Sequence, residues 1–295
     1  MACYKPLTAW QTVGGEVVFA ERGNIQKTLT LPCGRCVGCR LERARQWSIR
    51  IMHEAQVHQD SSFVTLTYDE DKVPKDGSLK YRDFQTFIKR LRRSTNTRIR
   101  YYMCGEYGDQ LGRPHFHAAI FGEGFRENRT LWKKTDTGNL YRAEKLEKLW
   151  PHGYSTVGEL TIESAGYIAR YVMKKINGRQ AWEHYKKTDP ETGEIIWLHQ
   201  EYAHMSLKPG IGGLWYEKYR DEVYPQDRVI GNGVPQKPPR YYDKLERRRD
   251  EELMEGVLHE RVIRPRQAGE ETDERLSIRE RVVAAKLTQL KRKLK

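Results

Sequence analysis

Pro114-His115-Phe116-His117-Ala118-Ala119-Ile120 decides the architecture of this chain. Side chains of an extended segment point alternately to opposite faces. His115 and His117 therefore share one face, while Phe116, Ala118 and Ile120 share the other, apolar one. A strand held by its core face and carrying two imidazoles on the other has a metal-ligand geometry. The plain alternative is a pair of hydrogen-bonded strand histidines. Upstream, residues 99–107 read as a second strand, and the link through Gly108 to Pro114 is too short for a parallel crossover, so the two form an antiparallel hairpin. That hairpin returns Glu106 beside the histidines. Two imidazoles and a carboxylate leave positions on a Mg²⁺ or Mn²⁺ ion open for phosphate oxygens.

Working outward, Phe63-Val64-Thr65-Leu66-Thr67-Tyr68 reads as a strand, and Asp76-Gly77 marks a turn after it. Residues 81–93 form an amphipathic helix with Phe84, Phe87, Ile88 and Leu91 on its apolar face. Apolar residues also recur at helical spacing over 40–59. Residues 142–149 read as a short helix, 154–160 as a strand and 164–176 as a helix. The expected fold class is α+β, an antiparallel central sheet with helices packed on one side. Residues 122–138 read as an irregular insert. Beyond 177 the periodicity fades, and Pro225, Pro235, Pro238 and Pro239 mark loop-rich chain. The expected division is a Cys-rich segment with a basic helix (1–62), a core (63–178), a loop-rich extension (179–242) and a charged helical or disordered tail (243–295).

Tyr167-Ile168-Ala169-Arg170-Tyr171-Val172-Met173-Lys174-Lys175 is apolar at helical spacing, so Tyr167 and Tyr171 stand one turn apart on a common face. A tyrosine is about one part in a thousand ionised at neutral pH. It becomes a nucleophile where cations stabilise its phenolate and a metal activates phosphorus. Lys174 and Lys175 follow Tyr171 at the spacing that supplies such a cation. The alternative is an aromatic stripe with lysines at the C-terminal end of the helix dipole.

The 295 residues carry net charge +13, of which residues 243–295 hold only +3, so the body is the basic part. Residues 89–100 include Arg90, Arg92, Arg93, Arg98 and Arg100 and no acid. Such a run is either a solvated helix face or a phosphate contact. With seven Trp and 17 Tyr in the chain, single-stranded nucleic acid is the partner these clusters fit, because bases stack on rings while cations track phosphates. No apolar run approaches about 18 residues and the N-terminus lacks a secretory stretch, so a cytoplasmic protein without membrane contact is expected. Five cysteines argue against a disulfide framework. Cys33, Cys36 and Cys39 lie in a Gly-rich loop with Cys-x-x-Cys spacing, and Cys3 is the natural fourth ligand for structural Zn²⁺. Free thiols, or an iron–sulfur or redox site, are the alternatives.

Taken in order, the Thr-Leu-Thr strand, the His-apolar-His pair with its upstream Glu, and Tyr-x-x-x-Tyr followed by Lys-Lys resemble the HUH endonucleases that initiate rolling-circle replication. The cysteine-rich start, Tyr167 to Lys175, and Met205-Ser206-Leu207-Lys208-Pro209-Gly210-Ile211-Gly212 resemble the replication initiators of gokushovirus-like Microviridae. The resemblance implies an HUH/Rep-type nuclease fold. It implies that Tyr167 or Tyr171 attacks an origin phosphodiester to form a 5′-phosphotyrosine and a free 3′-OH, with later rejoining to circular single-stranded DNA. His115, His117 and Glu106 would hold Mg²⁺ or Mn²⁺, and Lys174 would polarise the phosphate. Lys175 belongs with the DNA contacts. Single-stranded DNA, the double-stranded replicative-form origin, and a host helicase and polymerase are the implied partners, in a bacterial cytoplasm. Thr65 and Thr67 are expected to support the sheet only. A relaxase or transposase of the same superfamily, or a non-catalytic basic DNA-binding protein, are the competing readings.

Overall fold

The computed structural model describes residues 3–108, 112–135, 138–171, 179–188, 192–224, 226–263 and 272–289, and for Tyr171 the backbone alone. In chain order the elements are β1 (Leu7–Thr12), β2 (Val17–Val18), β3 (Ile25–Leu31), α1 (Val37–Gln56), β4 (Ser61–Tyr68), α2 (Tyr81–Arg93), β5 (Arg100–Tyr107), β6 (Pro114–Phe121), β7 (Arg129–Thr135), β8 (Gly138–Ala143), α3 (Glu144–Leu149), β9 (Gly153–Gly158) and α4 (Ile162–Tyr171). They continue with α5 (Arg179–His184), β10 (Lys186–Thr188), β11 (Ile195–Trp197), β12 (Tyr202–Met205), α6 (Gly213–Val223), β13 (Val229–Gly231), β14 (Val234–Gln236), α7 (Arg240–Arg249), α8 (Glu251–Ile263) and α9 (Asp273–Gln289).

Two compact units divide the chain, one made of residues 1–43 and 255–293, the other of Ala44–Met254. The first contains a three-stranded antiparallel sheet in the order β2-β1-β3, which no local pattern in the sequence marks. The second is built on a seven-stranded sheet in the order β12-β5-β6-β4-β9-β8-β7, with every neighbouring pair antiparallel.

Helices cover both faces of this sheet, where one covered face was expected. The reason lies in the central strands, which present apolar residues both ways. Val64, Leu66, Met103, Phe116, Ala118 and Ile120 meet Phe84, Phe87, Ile88 and Leu91 of α2 and Leu146 and Leu149 of α3. Each of the four fully buried α2 side chains contributes about 1.5–3 kcal/mol by leaving water. On the opposite face Phe63, Tyr102, Cys104, Ala119 and Phe121 pack with Ile51 of α1 and with Ala165 and Ile168 of α4. Gly105 keeps the first face tight, since a Cβ there would come within 3.1 Å of Leu79 and 3.3 Å of Phe116.

The stretch expected to be an irregular insert contains the β7–β8 hairpin. Its strands are exposed along most of their length, so no burial period marks them. Likewise β12, within the stretch expected to be loop-rich, forms the edge of the main sheet beside β5. At four residues it is too short to show an alternation. The segment after it is fastened by a buried ion pair. Arg100 of β5, only 2% exposed, pairs through Nε with Glu54 of α1. Its other guanidinium nitrogens donate to the carbonyls of Lys208 (3.3 Å) and Pro209 (2.7 Å). Glu54 Oε2 accepts the Gly212 amide at 2.7 Å. Burial pushes the Glu54 carboxyl up, but His58, the Gly212 amide and Arg100 outweigh it and hold it below the usual carboxylate range.

Breaking one partner of such a pair leaves the other charge buried. We predict that Glu54→Ala loses about 3–5 kcal/mol of stability, read from the shift of the urea-unfolding midpoint.

Candidate active site

Register places the site. Glu106 of β5 stands opposite His115 of β6, and His117 stands opposite Thr65 of β4. All four side chains lie on the α4 side of the sheet, at the end where the β5–β6 hairpin turns. Glu106 Oε1 lies 2.9 Å from Nε2 of His115 and 2.9 Å from Nε2 of His117. The other ring nitrogens are held from behind. His115 Nδ1–H donates to the Arg113 carbonyl at 2.9 Å, and His117 Nδ1 lies 2.9 Å from the Thr65 hydroxyl.

These contacts define the electrostatics. With Nδ1 of His115 spent as a donor to a carbonyl, a neutral ring turns its Nε2 lone pair toward a carboxylate lone pair. The arrangement is stable only with a second proton on the ring or a cation between the groups. Burial pushes the Glu106 carboxyl up, yet the two imidazoles override that and bring it down to about 2. The pocket thus keeps an anion surrounded by nitrogen ligands, with all three ligand atoms within 4.8 Å of one another. That donor set, with rings already aimed by hydrogen bonds on their far nitrogens, fits a divalent cation.

Tyr167 reaches the same place from α4. Its ring centroid is 5.2 Å from that of His117 in an edge-on arrangement, and 6.2 Å from that of Phe63. The helix is set by a reciprocal cap in which the Ser164 amide donates to Thr161 Oγ1 (3.3 Å) and the Thr161 amide to Ser164 Oγ (2.8 Å). Helical geometry carries the Tyr171 backbone one turn beyond Tyr167. The Tyr171 side chain, Lys174 and Lys175 lie outside the described residues.

The basic run does not converge here. Arg90, Arg92 and Arg93 project from the end of α2, on the opposite face of the sheet. Arg90 donates to the Leu149 carbonyl (3.4 Å) and Arg92 to that of Ile99. Arg98 donates to the Lys208 carbonyl at 3.1 Å. Six strand residues, about 20 Å, separate Arg100 from Glu106. Arg100, expected among the DNA contacts, instead turns its guanidinium inward to Glu54, because a buried strand end needs a counter-charge.

In the other unit the sulfurs of Cys3, Cys33, Cys36 and Cys39 lie within 4.8 Å of one another. Backbone amides converge on them. Tyr4 and Cys39 donate to Cys36 Sγ (3.3 and 3.5 Å), Arg35 and Cys36 to Cys33 Sγ (3.4 and 3.3 Å), and Cys33 to Cys3 Sγ (3.3 Å). Gly34, at φ +74°, turns the loop to make this possible. Burial works against a thiolate at Cys36, but the Tyr4 and Cys39 amides and the neighbouring thiols outweigh it and lower its pKa to about 6. Burial and those same neighbours push Cys3 and Cys39 up. Four thiols this close favour ionisation together only around a cation.

Thr65 is the functional contact that sequence reasoning missed. A threonine in a strand is ordinary, and only the pairing of β4 with β6 brings it to an imidazole.

Comparison with known proteins gives the chain its relatives. The family of ORF2-type replication-associated proteins matches residues 61–176. Replication-associated protein VP4 of Bdellovibrio phage phiMH2K is 35% identical over 270 residues, covering 86% of this chain and 80% of that protein. Replication-associated protein ORF2 of Spiroplasma virus 4 is 29% identical over 290 residues, covering 88% and 85%. Replication-associated protein ORF4 of Chlamydia phage 1 is 30% identical over 238 residues, covering 76% of this chain and 55% of that protein. No solved structure gives a significant match.

If Thr65 aims His117, Thr65→Val should weaken Mn²⁺ binding about 10- to 100-fold with the melting temperature nearly unchanged, and Thr65→Ser should restore it. Isothermal titration with Mn²⁺ measures both.

Proposed function

Because the chain belongs to the replication-associated protein family of these Microviridae-like phages, we propose that it starts and ends rolling-circle replication by cutting and rejoining one DNA strand through a tyrosine. The observation that carries the proposal is the convergence of Glu106, His115 and His117 at one point with the Tyr167 ring packed against His117.

In this reading Glu106, His115 and His117 hold Mg²⁺ or Mn²⁺, which when bound withdraws charge from a phosphate oxygen. The chain's own groups do the rest. The Tyr167 phenol oxygen, or that of Tyr171, forms a bond to phosphorus while the bond from phosphorus to the 3′ oxygen breaks. The phenol gives up a proton and the departing 3′ oxygen gains one, so the step is neutral overall. The 5′-phosphotyrosine retains the energy of the broken diester, and attack by a free 3′-OH reverses it to close a circle. A second tyrosine allows the next cut before the first link is resolved. Lys174 stabilises charge on the phosphate and Lys175 contacts the DNA. The partners are single-stranded DNA, the replicative-form origin, and the host helicase and polymerase that use the 3′-OH in the bacterial cytoplasm. No described helix is long and apolar enough to cross a membrane. A relaxase or transposase would share the chemistry; the names of the relatives favour replication.

For the cysteines we propose structural Zn²⁺. The five amide-to-sulfur contacts are what thiolate ligands need for their remaining charge, and four sulfurs complete a closed tetrahedral set.

Two outcomes follow. An origin oligonucleotide incubated with Mn²⁺ should leave a covalent protein–DNA adduct with the native chain and none with the Tyr167→Phe/Tyr171→Phe double variant, which should still bind DNA. An adduct formed by the double variant removes the assignment, and binding without any adduct favours a non-catalytic DNA-binding protein. Elemental analysis should find about one zinc per chain, falling at least tenfold in Cys36→Ser.

A further inference from the structure

We infer that the uncovered part of the sheet face beside the metal ligands is the bed on which the DNA strand lies, and that Tyr154 is the platform against which a base flanking the scissile phosphate stacks. The inference rests on the nuclease reading above and deepens it.

Two cross-strand rows make up this surface. The first runs Glu106, His115, Thr67, Tyr154 across β5, β6, β4 and β9. The second runs Cys104, His117, Thr65, Thr156. The next row inward, with Tyr102, Ala119 and Phe63, is buried beneath α1 and α4. The face therefore changes from a covered apolar half to an accessible half of hydroxyls, imidazoles and one ring. Along the first row exposure rises away from the metal ligands, from buried Glu106 to Tyr154 at 52%. Adjacent strands are about 4.8 Å apart, which sets the Tyr154 backbone about 10 Å from that of His115. A base next to a phosphate held at the ligands reaches that ring.

Tyr154 is also fixed in place. Gly153 before it has φ +149°, and a Cβ at Gly153 would fall 2.2 Å from the Asp69 amide nitrogen. The Asp69 amide in turn donates to the His152 carbonyl at 2.9 Å. The chain enters β9 by one route, and Tyr154 pairs with Thr67 directly.

Single-stranded DNA is the occupant this chemistry fits. In these two rows the sole carboxylate is Glu106, already engaged by the two imidazoles. The threonine hydroxyls can bond sugar and phosphate oxygens, and the chain is strongly basic. An aromatic ring with an open face beside a phosphate site serves any base, because every base has a π-face.

The test is binding of a fluorescently labelled single-stranded oligonucleotide of mixed sequence to the full chain in EDTA, where no cutting occurs. Tyr154→Thr keeps a strand-forming residue and removes the ring. It should bind about tenfold more weakly or worse, while Tyr154→Phe stays within about twofold of the native chain. Thermal melting should be equal in all three. Tyr154→Thr binding as tightly as the native chain overturns the platform, whatever the adduct assay gives. Loss of binding in Tyr154→Thr beside a native chain that forms no adduct keeps the DNA bed and removes the nuclease reading instead.

Discussion

Everything at the candidate site depends on one hydrogen-bonded register among three antiparallel strands. With Glu106 opposite His115 and Thr65 opposite His117, three ligands and the hydroxyl behind one of them come from sites far apart in sequence. A slip of one residue in β6 would send both imidazoles into the apolar layer and bring Phe116 to the surface. The apolar layer prevents it. Phe116, Ala118 and Ile120 are wholly buried against α2 and its neighbours, so the cost of slippage falls on the core rather than on the site. Catalytic geometry is in this sense a by-product of burial on the reverse face.

The same economy appears in the second layer. α4 delivers Tyr167 to the sheet because Ala165 and Ile168 are its buried residues. The turn carrying the nucleophile is rotated into place by ordinary packing, and the reciprocal Thr161–Ser164 cap determines where the helix begins. Charged groups are used sparingly inside, and those that are buried are matched. Glu54 has Arg100, and Glu106 has two imidazoles and room for a cation.

Much of this is legible in the sequence, for identifiable reasons. The bounds of α2 can be read because Phe84, Phe87, Ile88 and Leu91 mark one stripe. The β5–β6 hairpin is readable because a link of a few residues cannot make a parallel crossover. Glu106, His115 and His117 follow from strand alternation plus that turn. Other features leave no local signal. β12 is four residues long, β7 and β8 are exposed along most of their length, and the three-stranded sheet near the N-terminus has mostly polar faces. The roles of Thr65 and Tyr154 depend on pairing partners far away along the chain. Arg100 looks like its neighbours in a basic run, and only the structure separates it from them. Its burial follows from β5 starting where α1 covers the sheet.

The grip of Arg100 and Glu54 on residues 208–212 bears on how such a gene can change over time. The three motifs that make the chemistry recognisable end near residue 176, and the tempting view is of a portable cassette with a dispensable sequel. The fold is less divisible than that. An outer strand of the sheet, two carbonyl acceptors for a buried guanidinium and an amide donor for a buried carboxylate all come from the later segment. Recombination that severed the two would strand opposite charges in an interior that no longer matched them. Exchange between genomes is then constrained to carry both stretches together, and divergence in one must be tolerated by the other.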